Sequence, residues 1–417
     1  MKRYIKELIT HPLFSGSAIM VIGSNAINVL NYLYHLLMGR MLGPSFYGEL
    51  AALISFMGLL AVIPSSLSLV IIKYVSAAKN KKETASLIKW LQARGIKVSM
   101  IMFGFTLIIS PIIANFLHIG KISYLILIAV SFLFSIQTLI NRSILQGLLK
   151  FKETVLTILS ESIVKLASSM VLIFIGFRVG GAMLALAISV FLGWYMTTVY
   201  LKGSLQGQGE YSPNIKKMLM FSIPVILQSL ATSSIYSSDV LLVKHFFTSH
   251  DAGIYASLST LGKIIFFGAA PIGSVMFPLV SKRQSQGQDY RKIFIYSLLG
   301  TSLLASGVLL IYWLFPELAV SLLYGSAYLE ATSLLIWFGI FITLFTLSFL
   351  IINYGLSLGR TSVVIFPLIA AFLQIIMIWF YHQTLLEVII ISLVISALLL
   401  VSLIIYSLYD SGGSKKN

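Results

Sequence analysis

FSGSAIMVIGSNAINVLNYLYHLLM, residues 14–38, carries no acidic or strongly basic side chain and follows Lys2, Arg3 and Lys6. It exceeds the roughly 20 apolar residues with which a helix crosses the hydrocarbon core of a bilayer. A secretory leader also starts basic, but its apolar region runs to only about 15 residues and ends at a small-residue cleavage site. Neither feature is present, so this segment is expected to stay in place as a first membrane span.

Working outward, eleven further apolar stretches follow at 49–72, 96–117, 122–143, 154–176, 180–201, 219–243, 252–279, 293–315, 331–354, 362–381 and 386–408. Hydrophobic residues make up 58% of the 417, charged residues 10%, and mean hydropathy is +0.97. Such a chain is too apolar for a water-soluble domain. Nothing alternates like a barrel strand, so the backbone groups must be satisfied within helices. The expected fold is an all-α, multi-pass bundle of about twelve transmembrane helices.

The cations fix a direction. Lys73, Lys79, Lys81, Lys82, Lys89, Arg94 and Lys97 crowd the second connection, and Arg142, Lys150, Lys152, Lys202, Lys216, Lys217, Lys282, Arg283, Arg291, Lys292 and Arg360 fill later even-numbered ones. The alternate connections hold only Arg40, Lys121, Arg178 and Lys244. The positive-inside rule then places both termini, with Lys415 and Lys416 at the end, on the cytoplasmic side of a cell membrane. The formal charge of +16 is met by anionic headgroups beside these short connections rather than by nucleic acid. No cysteine is present, and no P-loop, metal-ligand spacing or Gly-rich phosphate cradle appears. No cofactor or metal is expected.

Lys202 to Lys217, rich in Gly, Ser and Gln with Gly203, Gly207, Gly209 and Pro213, is the one clear shift in composition. It divides the chain into a lobe at 1–203, a cytoplasmic linker at 204–217 and a lobe at 218–417, each lobe with six spans. The stretch Leu42-Gly43-Pro44 to Gly48 after the first span is echoed by Thr248 to Gly253 after the seventh. Two lobes of equal orientation are related by an axis along the bilayer normal, and a cavity between them suits alternating access.

Polar side chains inside the spans are the candidate site. Asn25, Asn28, Asn31 and His35 share one face of the first span, either as interhelical glue or as a cavity wall. Gln228, Thr232, Tyr236 and Asp239 repeat the pattern in the seventh. A carboxylate at this depth is costly, so Asp239 is expected to be paired with a cation, wetted or protonated. Glu161 and Lys165 stand at i, i+4 and can satisfy each other, with Thr157 and Ser168 extending their face. Lys263 has no acid within a turn of its own helix; it either pairs with Asp239 or meets substrate charge. Arg142, near the end of its span, is expected to snorkel to headgroups. Pro64, Pro224, Pro271 and Pro367 can kink their helices and are assigned no site.

Arg40-Met41-Leu42-Gly43-Pro44-x-x-Tyr47-Gly48 resembles the R-x-L-G-P-x-x-Y-G of the oligosaccharide flippases in the multidrug/oligosaccharidyl-lipid/polysaccharide exporter superfamily, the polysaccharide biosynthesis branch that includes O-antigen flippases. Asp239, then Gly253-Ile254-Tyr255, then Lys263 is similar to that branch's D, G-x-Y, K series. Leu322-Leu323-Tyr324-Gly325-x-x-Tyr328-x-x-Ala331 and Leu356-x-x-Gly359-Arg360 match its later half. The resemblance implies two lobes in a V-shaped, MATE-like bundle. It also implies that a polyprenyl-(pyro)phosphate-linked oligosaccharide is moved to the outer leaflet, with Lys263 toward the phosphate and the Asn, Gln, Thr and Tyr residues toward sugar. Asp239, Glu161 and Lys165 would serve ion coupling or structural pairing. Glycosyltransferases or a glycan polymerase are the partners such a protein would have, besides membrane lipids. Drug-exporting members often carry an acid in the first helix; its absence here disfavours the alternative, a multidrug or cation antiporter. An enzyme is not expected, since the longest external connection, 316–330, offers only Glu317 and Glu330.

Overall fold

The computed structural model describes residues 12–78, 80–204 and 215–413, without the side chains of 12–18, 21, 215–222, 224 and 408–413. Lys2, Arg3, Lys6, Lys79, Lys415, Lys416 and most of the expected linker, with Gly207, Gly209 and Pro213, lie outside the described residues. The described chain is helical, without a strand: α1 (Pro12–Ser66), α2 (Ser68–Ser76), α3 (Lys81–Phe116), α4 (Ser123–Gly147), α5 (Phe151–Phe174), α6 (Arg178–Leu201), α7 (Ile215–Ile235), α8 (Ser238–Phe246), α9 (Ser249–Ser285), α10 (Arg291–Leu314), α11 (Pro316–Tyr324), α12 (Thr332–Ser357), α13 (Ile365–Phe380) and α14 (Leu385–Gly413).

Among the described residues ten helices are long and apolar enough to cross a bilayer, which makes this a multi-pass membrane protein. The count differs from the twelve stretches of the sequence at two places. The first two stretches are two helices that follow each other without a gap in α1, the chain turning between them at Gly43, whose φ of 70° is open to glycine at little cost, and the second runs on into α2. The seventh stretch, expected to be continuous, breaks at Tyr236–Ser237 into α7 and the short α8. The carbonyl of Ile235 freed by that break is not left bare. Gln374, alone among the apolar residues of α13, donates to it at 3.1 Å and to Ser392 Oγ at 2.9 Å, the kind of repair that lets helices break inside lipid.

The helices gather into two compact units, Met1–Leu42 with Leu60–Ile226 and Gly43–Leu59 with Leu227–Asn417. In the first unit α4 is central, packed on α2, α3 and α6, with α5 alongside α6. In the second, α12 packs on α9, α10 and α14. The segment Gly43–Leu59 joins the second unit through backbone contact. A Cβ on Gly253 would stand 1.9 Å from the Pro44 carbonyl oxygen, and one on Gly48 would stand 2.5 Å from the Gly253 nitrogen. The two stretches that echo each other in sequence therefore touch.

Beside this contact lies a buried chain of hydroxyls. Thr260 donates to the Ala256 carbonyl at 3.1 Å, so it can only accept from Tyr47 at 3.0 Å, and Tyr47 in turn accepts from Tyr324 at 3.0 Å. Tyr328 closes the cluster, its ring centre 5.1 Å from that of Tyr324 and 6.3 Å from that of Tyr47. Burial, reinforced by the Tyr47 phenol, holds Tyr324 well above the usual tyrosine range, which keeps its proton in the chain. Ordering three aromatic rings and their hydroxyls in one place is worth several net hydrogen bonds of about 1 kcal/mol each besides the ring contacts.

Gly253→Ala forces a methyl group into backbone that has no rotamer to yield. Overpacking of that kind costs about 1–3 kcal/mol, and thermal unfolding of the purified variant in detergent is expected to come several degrees lower than wild type. Gly58→Ala, on the same segment with nothing within 4 Å of its Cβ, is expected to unfold like wild type.

Candidate functional site

Each unit carries a polar face of its own. In the second unit Asp239 is fully buried in the first turn of α8. Its carboxylate accepts from the Tyr255 hydroxyl at 2.8 Å and from the Val240 backbone N–H at 2.8 Å. Lys263 on α9 feels the charge of Asp239 but lies beyond ion-pair distance; no bond between the two is formed. The expected Asp239–Lys263 pair is therefore replaced by a neutral hydroxyl and a backbone amide, which the break before α8 presents. Lys263 is half-buried, and its Nζ stands 5.2 Å from the ring centre of Tyr236, a cation–π contact. The ring is itself held by Phe266 and Phe345 at 5.7 and 6.1 Å.

The other residues expected on this face divide. Tyr236 shares a 3.3 Å hydroxyl contact with Ser233, and Gln228 is half-buried with no side-chain bond among the described residues. Thr232 is buried and turns its hydroxyl back onto the Gln228 carbonyl at 2.8 Å. That back-bond leaves it little to offer a ligand.

In the first unit the expected Glu161–Lys165 pair is also not made. Glu161 accepts from Arg142 Nη2 on α4 at 2.7 Å, and Arg142 Nε donates to Thr157 at 3.2 Å. Lys165 instead donates to Asn31 Oδ1 at 2.8 Å and stands 4.7 Å from the ring centre of Tyr34. Arg142 does not snorkel outward: its side chain is 17% exposed and that of Glu161 22%. A guanidinium offers a planar fork that an ammonium lacks, and α6 leaves room for it. A Cβ on Gly193 would stand 2.5 Å from Glu161 Oε2 and 3.2 Å from Arg142 Nη2. Ser168 returns its hydroxyl to the Val164 carbonyl and takes no part in the pair.

The asparagine stripe of α1 is brought only partly to this face. Asn31 and His35 are half-buried, whereas Asn25 and Asn28 are exposed. The signal that sequence reasoning missed is on α4, where Ser135, Thr138, Arg142 and Gln146 recur at three, four and four residues. These four line one cavity of about 250 Å³, together with Ser68, Leu139, Ser143, Glu161 and Val190.

Residues 37–333, more than half of the chain, match the family described as polysaccharide biosynthesis protein. The chain belongs to that family. Among curated proteins nothing matches it in sequence. Its fold is shared with solved structures of the MOP superfamily. An inward-facing multidrug resistance MATE family transporter is similar with a TM-score of 0.74, at 15% identity, over 92% of this chain and 96% of that one. The lipid II flippase MurJ in an inward closed conformation gives 0.71, 14%, 94% and 87%. A transporter from Pyrococcus furiosus, described by the reverse polarity of its binding pocket, gives 0.64, 16%, 99% and 98%. These likenesses establish a MATE- and MurJ-like fold for this family member, and the proteins that share it are transporters and flippases rather than enzymes.

Arg142→Ala strands a carboxylate that is mostly out of water, at a cost of about 3 kcal/mol, the low end for breaking a buried pair. Glu161→Gln keeps an acceptor for Arg142 and is expected to cost less. The double variant Arg142→Ala/Glu161→Ala should cost less than the sum of the two alanine variants, as read from thermal unfolding in one detergent.

Proposed function

We propose that this protein is a flippase that moves a polyprenyl-(pyro)phosphate-linked oligosaccharide across the cytoplasmic membrane, by alternating access of two six-helix lobes, for the assembly of cell-surface polysaccharide. The observation that carries the reading is Lys263: a half-buried ammonium with no carboxylate in bonding reach among the described residues, held against Tyr236, in a chain of a polysaccharide biosynthesis family. An ammonium at hydrocarbon depth is costly without a counter-charge. Here the Asp239 carboxylate is bonded to the Tyr255 hydroxyl and the Val240 N–H instead of to Lys263, and in this reading a substrate phosphate supplies the bonded counter-charge.

In this reading the sugar hydroxyls meet Tyr236, beside Lys263, Gln228 on α7, and Asn25, Asn28, Asn31 and His35 along α1. Thr232, whose hydroxyl is already bonded, contributes shape. Asp239, Glu161 and Lys165 act as fixed charges that hold the helices in register. A multidrug or cation antiporter would need a free carboxylate for its cargo; Asp239 and Glu161 are both bonded, which weighs against that alternative. The lipid tail stays in the bilayer throughout. Glycosyltransferases upstream and a glycan polymerase downstream are the partners this cargo requires.

Lys263→Ala is expected to reduce export of lipid-linked glycan roughly tenfold or more, as the loss of one partner of a desolvated charge pair does, while leaving membrane insertion unchanged. Surface glycan in cells and headgroup accessibility in proteoliposomes measure it, and export at the wild-type level removes the assignment. Exchanging the charges, Asp239→Lys with Lys263→Asp, is expected not to restore export, because the two do not form a bonded pair.

A further inference from the structure

The Arg142–Glu161 cavity of the first unit has hydrogen-bonding capacity that the protein does not use. Arg142 has five N–H donors, of which one goes to Thr157 and one to Glu161; three have no acceptor among the described residues. Glu161 Oε1, the Ser135 hydroxyl and the Gln146 amide likewise make no side-chain bond there. Ser143 and Thr138, by contrast, are bonded to the carbonyls of Leu139 and Phe134. Leu139 and Val190 add apolar wall.

This mixture selects among ligands. A phosphate or carboxylate gains little where the guanidinium is already neutralised at 2.7 Å and where Glu161 would repel it. A metal ion finds one carboxylate beside an arginine. A neutral ring that carries donors and acceptors on its rim and C–H groups on its face answers every open group at once: hydroxyls accept from Arg142 and Gln146, donate to Glu161 Oε1, and exchange either way with Ser135. Gly193 keeps the far side open, since a Cβ there would displace the carboxylate.

We propose that this cavity is a saccharide site, in which one neutral pyranose ring of the transported glycan is read by Arg142, Glu161, Ser135 and Gln146. The inference rests on the glycan cargo proposed above and adds to it a place, separate from Lys263, where sugar identity is sensed.

The test uses the purified full chain in detergent and the methyl glycosides of glucose, galactose, mannose, rhamnose and N-acetylglucosamine at about 50 mM each, with the thermal midpoint as readout. Ligand bound to the folded state alone must raise that midpoint. At least one glycoside is expected to raise it by about 2 °C in wild type and in Lys263→Ala. The rise should be lost in Glu161→Gln, and also in Ser135→Leu, which fills the cavity while leaving the ion pair in place. No rise with any glycoside, or a rise that survives in both cavity variants, overturns the site. Wild-type proteoliposomes that bind a glycoside but do not translocate lipid-linked glycan would overturn the flippase reading and leave the site standing.

Discussion

Two glycines in backbone contact set the geometry of the second unit. Gly48 and Gly253 let the segment after the Gly43 turn lie against α9 more closely than any side chain would permit. That approach carries Tyr47 to Thr260 and Tyr324, where the hydroxyl chain can form. Helices in lipid gain little from hydrophobic burial, because the tails are as apolar as their side chains; small residues and interhelical hydrogen bonds drive their packing instead. Here both devices occupy one place. Tyr255 and Lys263 follow Gly253 on the same helix, α9, so the glycine contact also fixes where the donor to Asp239 and the ammonium beside Tyr236 stand.

The motifs that carry the family resemblance are therefore mostly packing. Gly43 turns the chain, Tyr47, Tyr324 and Tyr328 are fully buried, and Gly325 and Gly359 have φ of 93° and 75°, where a Cβ is strained. Tyr255 donates its hydroxyl to the Asp239 carboxylate at 2.8 Å. Lys263, which ends the D, G-x-Y, K series, is the member that stays half-buried beside Tyr236.

The helical class, the apolar segments and the polar candidates were legible in the sequence because periodicity and hydropathy are local properties. Partner choice was not. Glu161 and Lys165 at i, i+4 form a sound pair on an isolated helix, but Arg142 approaches from α4 with a better fork, and the glycine that admits it, Gly193, lies on a third helix. The break before α8 was hidden for a similar reason. No proline or glycine marks Tyr236–Ser237; the carbonyl it exposes is repaired by Gln374, far away in the chain. A single amide in the otherwise apolar stretch IFPLIAAFLQIIMIWF was the available signal, since a polar group at such depth needs a partner.

The outcome is an uneven distribution of uncancelled charge. Asp239 is engaged by a phenol and a backbone amide, and Glu161 by a guanidinium. The cations near them are treated differently. Arg142 is neutralised yet keeps spare donors, whereas Lys165 and Lys263 are held, among the described residues, by dipoles and ring faces: Asn31 with Tyr34 for one and Tyr236 for the other. Amides and aromatic rings lower the cost of keeping an ammonium out of water without cancelling its charge. Under the flippase reading proposed above, the ammonium of Lys263, costly at this depth without a bonded counter-charge, is where the anion of the cargo would be met, whereas Lys165 stays a fixed charge between helices.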